Sequence, residues 1–306
     1  TYTLVPMMQG IVIEGLVFGI MALGVFITFR VLDFADLTVD GSFPLGSAVM
    51  AMLLTAGVNP FFAMVAAFAA GGVAGAVTAV IHSKLKIPGL LAGILTMTML
   101  HSVNLRIMGN RANVSLLRVD TLFRSISDYA SSFMPGEYGI LLFLALFTLI
   151  VLVATNLFFH TDFGITVGAL GSNQQMITSQ GMNPEVIKLL GVSLSNGLVG
   201  VSGALAAMYQ GFADVNAGTG TVVAGLASVM IGEFLLRSNK IELLTLRVIL
   251  GSILYRAIMF SGRQYGYLIN LTANDLKLIT GVLIIGCLVI SKYGNGRLFS
   301  RKGKKA

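Results

Sequence analysis

Apolar stretches long enough to cross a bilayer recur along this chain, and few folds can accommodate so many of them. A hydrocarbon layer roughly 30 Å thick takes roughly 20 residues of helix at about 1.5 Å rise per residue. Runs of that kind lie at about 9–29, 42–56, 60–81, 88–103, 138–158, 189–208, 219–236, 243–260 and 276–291. Only 11% of the residues are charged and 56% are hydrophobic. Soluble domains carry about 25% charged residues, so this chain cannot cover a soluble surface. A mean hydropathy of +0.87 agrees. The expectation is an all-α polytopic membrane protein, one permease-like domain over 1–306, with nine spans. The second and fourth runs are short for a full crossing, which points to broken helices.

The first run is too long for a cleavable signal sequence and continues into further spans. Six of the 20 basic residues fall at Lys292, Arg297, Arg301, Lys302, Lys304 and Lys305. A basic tail after the last span is expected on the cytoplasmic side. Nine spans then put the N-terminus outside, and basic residues in the loops and tail favour that orientation by twelve to six. The net charge of +7 is therefore a membrane-topology signal, not a nucleic-acid one. The 36 glycines suit close helix packing.

An internal repeat is visible. Phe34-Ala35-Asp36 precedes LTVDGSFPLGSAVMAML, and Phe212-Ala213-Asp214 precedes VNAGTGTVVAGLASVMI. Five spans separate the copies, so they are expected to enter the membrane from opposite sides as an inverted repeat.

Two segments between spans are polar. In Arg30 to Gly46, Asp33, Asp36 and Asp40 stand between apolar runs. Backbone there must be buried in protein or line a wet cavity. Asp40 or Ser42 is placed to accept hydrogen bonds at the next helix start. In Asp162 to Glu185, Ser172 or Asn173 is placed to cap a short helix running to Gln180, with Gly181 as its stop. Asn183-Pro184 then opens the next helix. Within spans, Glu14 and Arg256 fall at similar depth and form a candidate ion pair, and Glu233 lies near the end of the seventh run. The candidate pathway residues are Glu14, Asp36, Asp40, Ser42, His101, Asn196 and Asp214.

Asp36-Leu37-Thr38-Val39-Asp40-Gly41-Ser42 is similar to the Asp-Leu-Ser-Val-Gly-Ser signature of sugar ABC permeases, with one residue inserted. Gly15 to Gly46 resembles the N-terminal part of branched-chain amino-acid permeases, with Asp33-Phe34-Ala35 where those have Asn-Phe-Ala. The wording is closest to tryptophan/tyrosine-type ABC permeases of that superfamily, and the likeness runs from about Gly15 to Cys287. The resemblance implies a helical permease that pairs with a second copy of itself. It also implies cytoplasmic ATP-binding subunits that carry the ATP and Mg, and an extracytoplasmic solute-binding protein. The setting it implies is the bacterial inner membrane. The coupling helix of that family is expected at Gly171, Ser172, Asn173, Gln174, Gln175, Gln180 and Gly181. Its pattern matches at Ala169, Gly171, Asn173 and Gly181 and departs at Gly168 and Met176-Ile177. The cargo that the resemblance implies is a small solute of the amino-acid class, with an aromatic amino acid as the narrower expectation.

Other chemistry finds no support. The sequence has no G-x-x-x-x-G-K-[ST], H-E-x-x-H or G-x-S-x-G motif, so neither ATP hydrolysis nor another enzymatic step is expected of this chain. Three dispersed histidines and one cysteine, Cys287, have no metal-ligand spacing, so no metal or cofactor is expected. The alternative transport class is an ion-gradient-driven carrier using Glu14 and the aspartates at 33–40.

Overall fold

The computed structural model describes residues 4–132, 135–236 and 241–265, together with 275, 278–286 and 289. It opens with α1 (Leu4–Phe26), a π-helical turn (Ile27–Val31), α2 (Val39–Thr55), α3 (Pro60–Leu85) and α4 (Gly89–Ile107). Next come β1 (Asn113–Ser115), α5 (Leu122–Ala130), α6 (Gly136–His160), α7 (Asp162–Ser172), α8 (Gln174–Ser179) and α9 (Pro184–Gln210). Then follow β2 (Phe212–Asp214), a 3-10 turn (Val215–Gly218), α10 (Thr221–Leu235) and α11 (Ile241–Tyr265). Among the described residues, seven stretches are long and apolar enough to cross a membrane, and α2 is a shorter apolar helix. The protein is an all-α, multi-span membrane protein. The ninth expected run, 276–291, falls partly outside the described residues, where 278–286 are helical. The tail at 292–306 lies outside them.

Local chemistry sets the helix ends. Asn59 accepts a hydrogen bond from the Phe61 N–H and Pro60 takes the first helical position of α3. Asn183 accepts from the Glu185 N–H with Pro184 opening α9. Proline there forfeits only an N–H that the helix could not use. At the other end of α9, Gly211 turns left-handed at φ +78°, a conformation that costs glycine little.

The core is built on α1 and α9, the most enclosed helices. They run antiparallel: Ser195 Oγ donates to the Gly24 carbonyl at 2.6 Å, and Ser202 Oγ donates to the Val17 carbonyl at 2.7 Å. The α2 helix crosses α9 at near-backbone contact. A Cβ on Gly46 would collide with the Gly200 carbonyl oxygen, and one on Gly203 with that of Phe43. Small residues at such crossings let helices associate by dispersion where lipid offers no hydrophobic gain. Outward faces of α3, α4 and α6 carry exposed Phe61, Phe62, Leu91, Leu146 and Leu149, as lipid contact requires.

Two ends can be told apart. Gly171 of α7 packs on the carbonyl of Val31, the last residue of the π turn, and Lys84 pairs with Glu185 at 3.6 Å. These mark the α7–α8 end. At the opposite end β1 and β2 pair antiparallel, Asn113 facing Asp214 and Ser115 facing Phe212. The fourth helix continues past the expected 103 to Ile107, and its 19 residues are enough to cross. The α2 helix has 17 residues and α10 has 15, about 25 and 22 Å at helical rise. Both start inside the bundle.

Gly46→Val should lower the thermal midpoint of the detergent-solubilised protein and cut its monodisperse yield in fluorescence-detected size exclusion. Overpacking of this kind costs about 1–3 kcal/mol. Gly168→Ala, where nothing lies within 4 Å, should leave both unchanged or slightly raised.

Candidate functional site: a polar junction inside the bundle

The chain leaves α1 at the α7–α8 end and turns back inward through 32–38. Asp36 is fully buried there. One carboxylate oxygen accepts from the Thr38 N–H at 2.8 Å and the other from Asn196 Nδ2 at 2.6 Å. Asn196 Oδ1 accepts from Ser42 Oγ at 2.7 Å, and the Thr38 and Thr78 hydroxyls bond at 2.6 Å. All five side chains have no exposed surface. Asn196 lies near the middle of α9, so this network pins the start of α2 deep in the bundle. Buried polar groups with every partner present specify one arrangement.

Expected caps prove different in kind. The α2 helix starts after Thr38, which makes no side-chain cap. Asp40 does not cap its own helix, and neither does Ser42, which bonds Asn196. Asp40 Oδ1 accepts from the Val222 N–H at 2.8 Å and from Thr221 Oγ1 at 2.9 Å, and Oδ2 accepts from the Gly220 N–H at 3.0 Å. It caps α10 from another helix. Gly220 stands at the α10 N-cap with φ +84° and no side chain to do so. A carboxylate at that end also meets the positive pole of the helix.

The approach to α10 mirrors the approach to α2. Asp214 accepts from the Asn216 N–H at 2.8 Å, the same turn that Asp36 makes with Thr38. Because α1 and α9 are antiparallel, the two Phe-Ala-Asp tripeptides follow opposite ends of the bundle. The turn 215–220 then descends until Gly218 packs on the Asp40 carbonyl. Asn216, Ala217 and Thr219 stay exposed at this depth.

Cavities flank that turn. One of about 290 Å³ is lined by Asp40, Thr98, His101, Asn104, Asn216 and Thr219. Asn104 Nδ2 donates to the Gly41 carbonyl at 3.2 Å, while its buried Oδ1 has no partner. A second, of about 440 Å³, is lined by Phe18, Thr219, Thr221, Tyr255, Arg256 and Met259. Thr219 belongs to both. A third, of about 370 Å³, holds Glu14, Tyr209 and Arg256. Glu14 and Arg256 are brought together at 3.6 Å, and Arg263 approaches Glu14 at 3.8 Å.

At the α7–α8 end, the expected polar connection is two helices. Asn173, not Ser172, is the cap: its Oδ1 accepts from Gln175 and Met176 N–H groups at 3.0 and 3.2 Å. Ser172 ends α7 and bonds back to the Gly168 carbonyl. Gly181 follows Gln180 at φ +79°. Gln174, Gln175 and Gln180 are exposed and Gly171 is half-buried, while Ile177 anchors α8 at 1% exposure.

An ionic cluster at the same end was not foreseen from the sequence. Arg30, on the π turn, reaches Glu233 of α10 at 2.7 Å, and Arg247 of α11 reaches it at 3.1 Å. Each was visible as a charge at the edge of an apolar run, but separations of 203 and 14 residues carry no pairing signal. Asn216 and Thr219 were missed because an Asn or Thr in a loop is ordinary.

A membrane bundle whose helices start at its own centre, with polar turns and cavities there, is the build of a transport protein. The chain matches the family model described as branched-chain amino acid transport system / permease component over residues 7–288, and belongs to that family, the membrane-spanning permease subunits of ABC importers. It is 41% identical over 275 residues to the tyrosine transport system permease protein of Clostridioides difficile, covering 90% of this chain and 88% of that one. An uncharacterized protein of Rickettsia prowazekii is 33% identical, with 86% and 90% covered. The ribose import permease protein RbsC of Escherichia coli is 29% identical over 67% of this chain and 62% of its own. No solved structure gives a significant match.

Asp40→Ala should lower the unfolding midpoint of the purified protein by the loss of a cap, about 1–2 kcal/mol. Asp128→Ala, on the exposed side of α5, should leave it unchanged in the same thermal scan.

Proposed function

We propose that this permease pairs with a second copy of itself in the bacterial inner membrane and imports an amino acid, with aromatic side chains preferred. Separate cytoplasmic subunits bind and hydrolyse ATP with Mg, and an extracytoplasmic protein delivers the solute. The chain carries no phosphate-binding loop of its own. The 41% identity to a tyrosine transport system permease, spread over nine-tenths of the chain, supports the choice of solute.

One observation carries the mechanism. A capped, exposed short helix, α8, follows directly on α7, which packs against the π turn at the end of α1, and the shorter helices α2 and α10 start in the middle of the bundle. In this reading α7–α8 faces the cytoplasm and docks into a cleft on the ATP-binding subunit through Asn173, Gln174, Gln175 and Gln180. Gly171 lets α7 lie against the π turn, and Gly181 lets the chain turn sharply after α8. Force enters at α8, passes to α1 and the Arg30–Glu233–Arg247 cluster, and reaches α10. Tilting α10 alters the cavities at Asp40 and Thr219, so access alternates between the two membrane faces.

The two Phe-Ala-Asp copies with their matching turns support an inverted repeat, and a ninth span over 276–291 returns the C-terminus to the cytoplasm. Of the pathway candidates, Asp40, His101 and Glu14 line cavities, with Asp214 holding the turn beside them. Asp36, Ser42 and Asn196 form the fixed frame behind.

The test is reconstitution. Co-expressed with its neighbouring ATP-binding and solute-binding proteins, the chain should accumulate L-tyrosine only with ATP, and uptake by the chain alone on a proton or sodium gradient would defeat the reading. A cysteine at Gln175 should be labelled by a membrane-impermeant thiol reagent in inside-out vesicles and protected by the ATP-binding subunit. Asn173→Ala removes the α8 cap, worth about 1 kcal/mol. It should reduce uptake several-fold while the protein remains monodisperse.

A further inference from the structure

Arg256 is an enclosed guanidinium whose donors are idle. Its side chain is 17% exposed, within the α11 span. A guanidinium offers five N–H groups in a rigid fork. Among the described residues Arg256 makes no hydrogen bond, and its buried Nε has no partner. Glu14 stands 3.6 Å away, an ion-pair contact too long for a hydrogen bond. Arg256 Cζ lies 3.4 Å from the centroid of the Phe18 ring, which attracts the cation but takes up none of its N–H groups. A buried guanidinium held only this way is costly, and its side chain lines two cavities, of about 440 and 370 Å³. Both fall in the range of roughly 300–1,000 Å³ typical of small-molecule sites.

The larger cavity suits an aromatic amino acid. Phe18, Tyr255 and Met259 give it an apolar wall, and the turn at Thr219–Thr221 gives it a polar floor. The Arg256 fork matches a carboxylate in two parallel hydrogen bonds. Glu14, beside it, has the sign for an α-ammonium group. We propose that Arg256 anchors the α-carboxylate of the transported amino acid, with the side chain of that solute lying against Phe18 and Tyr255. This rests on the reading of the chain as an amino-acid importer permease, and it goes further by assigning the point of recognition inside the membrane domain.

The test uses the complete importer and L-tyrosine, with tyramine as the analogue that lacks the carboxylate. Hydrogen bonds to a charged partner are worth about 1.5–3 kcal/mol, so Arg256→Gln should reduce L-tyrosine uptake about ten- to hundred-fold. Arg256→Lys, which keeps charge without the fork, should fall between. A second arm places a cysteine at Thr219 in a Cys287→Ala background. L-tyrosine should slow its alkylation and tyramine should not, and Arg256→Gln should abolish the protection while leaving unprotected alkylation as fast as before. Uptake by Arg256→Gln within two-fold of the parent, or protection by tyramine equal to that by L-tyrosine, would overturn the assignment alone. If the parent complex accumulates no aromatic amino acid, the importer reading fails and takes this site with it. Should Arg256→Gln not reach the membrane, the protection pattern in the parent decides: L-tyrosine protecting and tyramine not supports the anchor, and equal effects refute it.

Discussion

A helix that begins inside a membrane protein exposes N–H groups where no water competes to satisfy them. Two of the described helices begin that way, and the rest of the structure follows from how those groups are met. For α2 the answer is local: Asp36 takes the Thr38 N–H, and the turn carbonyls take the next ones. For α10 the answer comes from elsewhere, because Gly220 has no side chain and Asp40 reaches across from α2. Each aspartate is therefore held by a structural need before any solute is considered. The depth of the junction is set by Asn196, which ties Asp36 and Ser42 to the centre of α9.

Close packing around α9 makes this geometry possible. Lipid tails are as apolar as leucine, so helices gain nothing by merely hiding side chains from water. They gain by approaching until backbones touch, as at the Gly46–Gly200 and Gly203–Phe43 crossings. Those approaches bring the serine and asparagine side chains of α9 within reach of carbonyls and hydroxyls on α1 and α2. Packing and polar satisfaction are one construction: a bulkier residue at the crossing would also stretch the hydrogen bonds of the junction.

What the sequence made legible was what is local or repeated. Most of the long apolar helices were readable from run length; the α8 cap was narrowed to Ser172 or Asn173, and the stop at Gly181 and the Asn183-Pro184 start were readable from residue type and spacing. Both Phe-Ala-Asp copies end in an aspartate that accepts from the N–H two residues on, a turn the repeated letters alone did not specify. Glu14 and Arg256 were pairable because each was an isolated charge at similar depth in its run. Illegible were the contacts made by folding alone. Asp40 looked like a cap for its own helix because caps are usually local, and its true partners lie about 180 residues on. The Arg30–Glu233–Arg247 cluster was hidden for the same reason. The idle donors of Arg256 could not be inferred, since a sequence does not show that an enclosed charge meets its ion-pair partner without a hydrogen bond.

Three hydrogen bonds from one helix end converge on the single carboxylate of Asp40. Because α10 is stiff and those donors share its first turn, they cannot be surrendered one at a time. A small tilt is resisted by all three together, and a larger one releases all three together. Such a joint behaves as a latch rather than a spring: its three bonds hold or let go as one.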